Sequence, residues 1–96
     1  MEVRIRYLSH DLARYFASSE KRETVHVPDN AVYESITSIL KEKHERAVKQ
    51  LPPGKTKHGT LNSLVFLCEG KPIATMAGKP VDPNSEVLVA YADFGG

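Results

Sequence analysis

The sequence has little of what most specialised chemistries require. It holds one cysteine, Cys68, and no tryptophan. A lone cysteine excludes an internal disulfide framework and is compatible with a reducing compartment. Zinc centres need three or four converging ligands. His10, His26, His44 and His58 are scattered, no two of them three to five residues apart, so they are read as solvent-facing side chains. Cys68 lies inside "SLVFLC" with no base or cation placed beside it by the sequence, which reads as a small core residue and not a nucleophile. An excess of one charge is also missing. Thirteen Lys and Arg stand against twelve Asp and Glu, for a net charge of +1. That gives no overall basic footprint for nucleic acid and no reason to expect an acidic substrate. The longest apolar runs, "LVFLC" and "VLVAYA", are far too short to span a bilayer, and the opening "MEVRIRYLSH" lacks the apolar core of a signal peptide. "GKTKHGT" has glycine, lysine and threonine but not the spacing of a phosphate-cradling loop. These absences point to a soluble, cytoplasmic protein with no metal-site pattern and no footprint for nucleic acid or membrane.

What is present is a well-patterned small domain. The 96 residues, 41% apolar and 26% charged, suit one core and leave no room for two. "EVRIRYL" alternates, with Val3, Ile5 and Tyr7 on one side and Glu2, Arg4 and Arg6 on the other, the mark of a strand with one buried face. A loop or short irregular helix is expected around Leu12–Phe16, then a second strand over Thr24–Val27 that Pro28 stops. Over the next stretch the period changes. Val32, Ile36, Ile39, Leu40, Ala47, Val48 and Leu51 recur at three- and four-residue steps, which predicts a long amphipathic helix. Asp29 or Asn30 is the expected cap and Pro52–Pro53–Gly54 the stop. Lys41, Lys43 and Lys49, with Lys55 and Lys57 beyond them, are interleaved with Glu42 and Glu45 and read as a solvated helix face. A strand over Ser63–Cys68, a turn at Glu69–Pro72, a brief edge strand near Ile73–Met76 and a final strand "EVLVAYA" complete the order. Asp82 and Glu86 read as turn and strand-start residues. One long helix with four or five strands is an α+β domain. The first and last strands are expected side by side and parallel in the centre, because the helix supplies the crossover a parallel pair needs.

The least ordinary feature is "AYADFGG", a strand that runs directly into Gly95–Gly96. Two residues without side chains can thread a narrow cleft, and the carboxylate of Gly96 is unhindered. An activating enzyme could present it to the α-phosphate of ATP, giving an acyl-adenylate open to attack by sulfur or an amine. The expected division is a folded domain over residues 1–92 and a flexible tail over 93–96, which when extended reaches about 13 Å.

With its opening strand "EVRIRYL", its "VPDNAVYESITSIL" and its ending "PVDPNSEVLVAYADFGG", the chain resembles the ubiquitin-like β-grasp sulfur carriers. The group includes the small subunit of molybdopterin synthase and the thiamine-pathway carrier, with ubiquitin-like modifiers as relatives. The resemblance spans nearly the whole chain. It implies a β-grasp fold, a mixed sheet of four to five strands packed on one long helix. It also implies a protein substrate and not an enzyme. An adenylating enzyme related to ubiquitin-activating enzymes would charge Gly96 with ATP, no cofactor being bound by the chain itself. A sulfur donor would make the thiocarboxylate, and the large subunit of molybdopterin synthase is one possible partner. The same glycine could instead be joined to lysines of target proteins. A third reading is an interaction module that binds through its open sheet face, with a passive tail. Tyr91 and Ala92 stand where the family's tails often carry prolines. Phe94 stands where a small residue is common, so Phe94 and Asp93 are expected to select the partner enzyme.

Overall fold

The structure, a computed structural model, describes residues 1–52 and 61–92. The strands are β1 (Glu2–Tyr7), β2 (Arg22–His26), β3 (Leu64–Cys68), β4 (Lys71–Pro72) and β5 (Glu86–Tyr91), and the helices α1 (His10–Arg14) and α2 (Tyr33–Gln50). The five strands form one sheet in the order β2-β1-β5-β3-β4. β1 and β5 are the parallel central pair, with Ile5 opposite Val87 and Tyr7 opposite Val89, and the other pairings are antiparallel. This is the arrangement the crossover argument predicts.

Alternation decides which face is covered. Val3, Ile5 and Tyr7 of β1 and Val87 and Val89 of β5 point into the core, where Ile36 and Leu40 of α2 meet them. Glu2, Arg4 and Arg6 occupy the outer face. α2 ends at Gln50 because Leu51 precedes Pro52 and is pushed to an extended backbone (φ −86°, ψ 147°). Its solvated side carries the Arg46–Glu42 pair and a Lys49–Glu45 pair at 3.5 Å. Lys43 reaches Glu23 of β2 at 3.0 Å. The expected loop after Pro52, with Pro53, Gly54, Lys55, Lys57 and His58, lies outside the described residues.

Four expectations need correction. The cap of α2 is neither Asp29 nor Asn30. Val32 holds the cap position without a side-chain bond, and the amides of Tyr33 and Glu34 donate to the carbonyls of Lys79 (3.1 Å) and Ala77 (2.9 Å). A distant loop satisfies the orphan donors that a side chain was expected to take. Asp29 instead accepts from the amino group of Met1 at 3.0 Å, which lowers its carboxyl pKa. Second, Ile73–Met76 is a 3-10 turn and not an edge strand. Only Lys71 and Pro72 pair with β3, and the turn delivers Ile73 to the core and Ala77 to the head of α2. Third, His44 is not solvent-facing. It is 7% exposed and its ring centre lies 5.4 Å from that of Phe16. It falls four residues after Leu40 and three before Ala47, on the buried stripe of α2. Fourth, the segment after β1, expected as a loop or short irregular helix, is a definite helix that lies two residues earlier than expected. Ser9 caps it by accepting the Leu12 amide at 3.1 Å, and Leu12, Ala13 and Phe16 are buried.

Candidate functional site

The residues assigned to the reactive tail, Asp93, Phe94, Gly95 and Gly96, lie outside the described residues. The structure therefore speaks to their root. β5 is held on both flanks. On one side Leu64 to Cys68 of β3 pair with Tyr91 to Val87, and on the other Arg4 to Tyr7 of β1 pair with Glu86 to Val89. One more bond follows the strand, from the amide of Ala92 to the carbonyl of Ser63 at 2.8 Å. The chain is thus anchored up to Ala92 by a central strand, the most constrained position a sheet offers.

The surroundings of the root come from the segment after β1. The amide of Leu8 donates to the carbonyl of Val89 at 3.0 Å, which brings that connection and α1 beside the end of β5. Tyr91 is half-buried and packs with Tyr15 against the core. Burial raises the Tyr91 phenol above its ordinary range, and the neighbouring Tyr15 and Asp11 add to the rise. Sequence reasoning missed this role of Leu8, Asp11 and Tyr15. The available signal was Leu8 itself, which continues the alternation of β1 onto its charged face.

The other candidate residues fall into structural roles. Cys68 is buried, with its sulfur 3.5 Å from the hydroxyl of Tyr33. That hydroxyl also accepts the amide of Asp82 at 3.2 Å, so it ties the head of α2 to β3 and to the turn before β5. Burial and the contact with Cys68 raise the Tyr33 phenol pKa. The Asp82 carboxylate accepts the Asn84 amide at 2.9 Å, closing the turn, and Glu86 opens β5 with an ion pair to Arg6 at 3.1 Å. These are the turn and strand-start roles expected of the two acids. Among the described residues no three His, Cys, Asp or Glu side chains are placed to share a metal ion. No helix among them is long and apolar enough to cross a membrane.

No family model and no curated protein matches the chain. Two solved structures resemble it. One is a crystal structure of small archaeal modifier protein 1 of H. volcanii, at 17% identity and a TM-score of 0.56, covering 92% of this chain and 93% of that one. The other is a crystal structure of SAMP1 from Haloferax volcanii, at 20% identity and a TM-score of 0.60, covering all of both chains. The fold is the ubiquitin-like β-grasp.

Proposed function

We propose that the chain is a ubiquitin-like carrier whose working group is the carboxylate of Gly96. The observation that supports it is the anchoring of β5 by two neighbouring strands and the Ala92–Ser63 bond, with two glycines in sequence shortly beyond. A rigid body followed in sequence by two glycines suits an activating cleft: the partner would grip the domain while the last residues enter the site. A carboxylate oxygen attacks the α-phosphorus of ATP and pyrophosphate leaves. Sulfur delivered as hydrosulfide then attacks the mixed anhydride, expels AMP and leaves a thiocarboxylate on Gly96. The chemistry belongs to the partner enzyme, and the chain supplies the group that is charged. The reading includes a cytoplasmic location, where an ATP-using activating partner would meet the chain. A cofactor precursor bound by a large molybdopterin-synthase subunit is one acceptor of the sulfur.

A second reading is favoured by the names of the similar structures, which are modifier proteins. In it, a lysine amine of a target protein attacks the activated carbonyl and an isopeptide bond forms at Gly96. Mass spectrometry of material from the native host separates the two. An oxygen-to-sulfur mass increase on the intact chain supports the carrier. For the modifier, cleavage after Phe94 by a protease specific for aromatic residues leaves Gly-Gly on target lysines. Trypsin would leave a much longer remnant, because the last two lysines, Lys71 and Lys79, each precede a proline. If a chain lacking Gly95 and Gly96 supports its host as well as the full chain does, both readings fail.

A further inference from the structure

Tyr91 is the last residue of β5, and the ladder shows how it is held. On the β1 side the pairing stops at Tyr7 opposite Val89, and the last bond runs from the Leu8 amide to the Val89 carbonyl. On the β3 side Tyr91 lies opposite Leu64, and the next pair outward, Ser63 and Ala92, carries the backbone bond of 2.8 Å. In an antiparallel ladder bonded and non-bonded pairs alternate. Leu64 and Tyr91 are therefore a non-bonded pair. The amide and carbonyl of Tyr91 turn toward the other side, where β1 has ended at Tyr7 and the chain passes into α1. Among the described residues no backbone bond reaches Tyr91 from there. Beyond Ala90, then, the described strand end is secured by one backbone bond, at Ala92, and by the side chain of Tyr91.

That side chain has a seat. Residues 87, 89 and 91 share one face of β5. Val87 and Val89 are buried on it, and the Tyr91 ring extends their row against the core. Burial there, and the nearness of Tyr15 and Asp11 of α1, raise its phenol pKa. Tyr15 is itself packed on the core and α1 is capped by Ser9, so this wall is built independently of the end of β5. We propose that the Tyr91 ring is the catch that fixes where the fold ends and the tail begins, which makes Tyr91 a positioning residue for the carboxylate of Gly96. With the ring seated, four residues follow the fold, an extended span of about 13 Å. With the ring released, Tyr91 and Ala92 join them, and six residues span about 20 Å. The carboxylate then arrives about 7 Å from its set depth. At a reacting centre a misplacement of about 1 Å already costs about 100-fold. This consequence rests on the function proposed above, whereas the catch rests only on the ladder and the ring.

Hydrogen exchange of backbone amides, followed by NMR on the full chain, reads the catch. In the parent the Ala92 amide should be protected. Tyr91→Ala should speed its exchange about tenfold or more relative to that of Val89, which lies inside the paired region. Tyr91→Phe keeps the ring and should match the parent within about twofold. Tyr15→Ala removes the wall, leaves β5 unaltered and should speed Ala92 in the same sense, so it serves if Tyr91→Ala does not fold. An Ala92 amide that exchanges at the unprotected rate in the parent overturns the proposal. So does an Ala92 rate unmoved by loss of the ring. A rise of the same factor at Val89 overturns it too, since the ring would then hold the whole sheet and not its end. In host material Tyr91→Ala should lower the fraction of chain modified at Gly96 about tenfold or more, and Tyr91→Phe should keep it at the parental level. Undiminished modification with Ala92 opened overturns the positioning role. A parent that carries no modification at Gly96 refutes the function proposed above and the positioning role with it, while the exchange rates still decide the catch.

Discussion

Replacing Tyr7 by phenylalanine removes one oxygen from the interior and should change the response of the fold to pH in a way that reverses sign. Tyr7 is 1% exposed, and its hydroxyl donates to Oε2 of Glu23 at 2.5 Å. Burial first, then that bond and the charge of Glu23, raise its phenol pKa far above the ordinary range. At pH 7 the variant loses a charge-assisted hydrogen bond, worth about 1.5–3 kcal/mol. Glu23 keeps Lys43 at 3.0 Å and is 21% exposed, so the low end applies, about 1.5 kcal/mol. In the unfolded chain Tyr7 ionises near pH 10, while in the fold it stays protonated. Above pH 10 the native state thus holds the extra proton, and stability falls as pH rises, by up to about 1.4 kcal/mol per unit. The stabilisation is complete below the unfolded pKa and is lost upward from it. The variant has no such loss at this position. By pH 11 the parent has given up about 1.4 kcal/mol through Tyr7, and the two proteins should be nearly equal. Above that pH the variant should be the more stable. Tyr33 and Tyr91, whose pKa values are also raised, are present in both and cancel. The assay is urea unfolding followed by the circular dichroism of α2 at intervals from pH 7 to pH 11.5. A stability gap that stays constant across this range would refute the reasoning.

Other perturbations test other links. Ile36→Asp places an unpaired charge at a fully buried position under α2 and should cost several kcal/mol, on the order of half the stability of a small domain, read from the urea midpoint. Asn30→Ala should change stability by less than about 0.5 kcal/mol in the same assay, because the head of α2 is satisfied by backbone carbonyls, whereas loss of a true cap costs about 1 kcal/mol. Ser9→Ala removes the side-chain acceptor of α1 and should cost about 1 kcal/mol by the same measurement. Gly96→Ala should leave the thermal midpoint unchanged and lower the fraction of chain carrying the tail modification in host material. A fall in midpoint as large as that of a core substitution would show that the tail belongs to the fold.

Much of the architecture was legible because its signals are short-ranged. Period two in "EVRIRYL" and period 3.6 from Val32 to Leu51 report which side of each element meets the core, and the structure buries those sides. The central β1–β5 pair followed from the same patterns, since a parallel pair needs a crossover and only one segment was long enough to be one. His44 was legible as well, and reading histidine as a polar residue obscured a spacing that put it on the apolar stripe. Ser9 could have been found by the capping rule, though a single turn of helix leaves too short a pattern to attract notice.

The sequence by itself determined the four longer strands, the long helix and the face that β1 and α2 bury. Those properties depend on residue type and spacing within a few positions. The tertiary structure alone decided the contacts between distant segments. The carbonyls of Ala77 and Lys79 took the amides at the head of α2 and freed Asp29 for the amino group of Met1. After the two residues of β4 the chain turns as a 3-10 helix, which buries Ile73 in the core. The ring of Tyr91 gained Tyr15 and Asp11 as neighbours only when Leu8 was bonded to Val89 and α1 lay beside the end of β5. Adjacency of this kind is set by packing and by hydrogen-bond partners across the sheet, which no local pattern encodes.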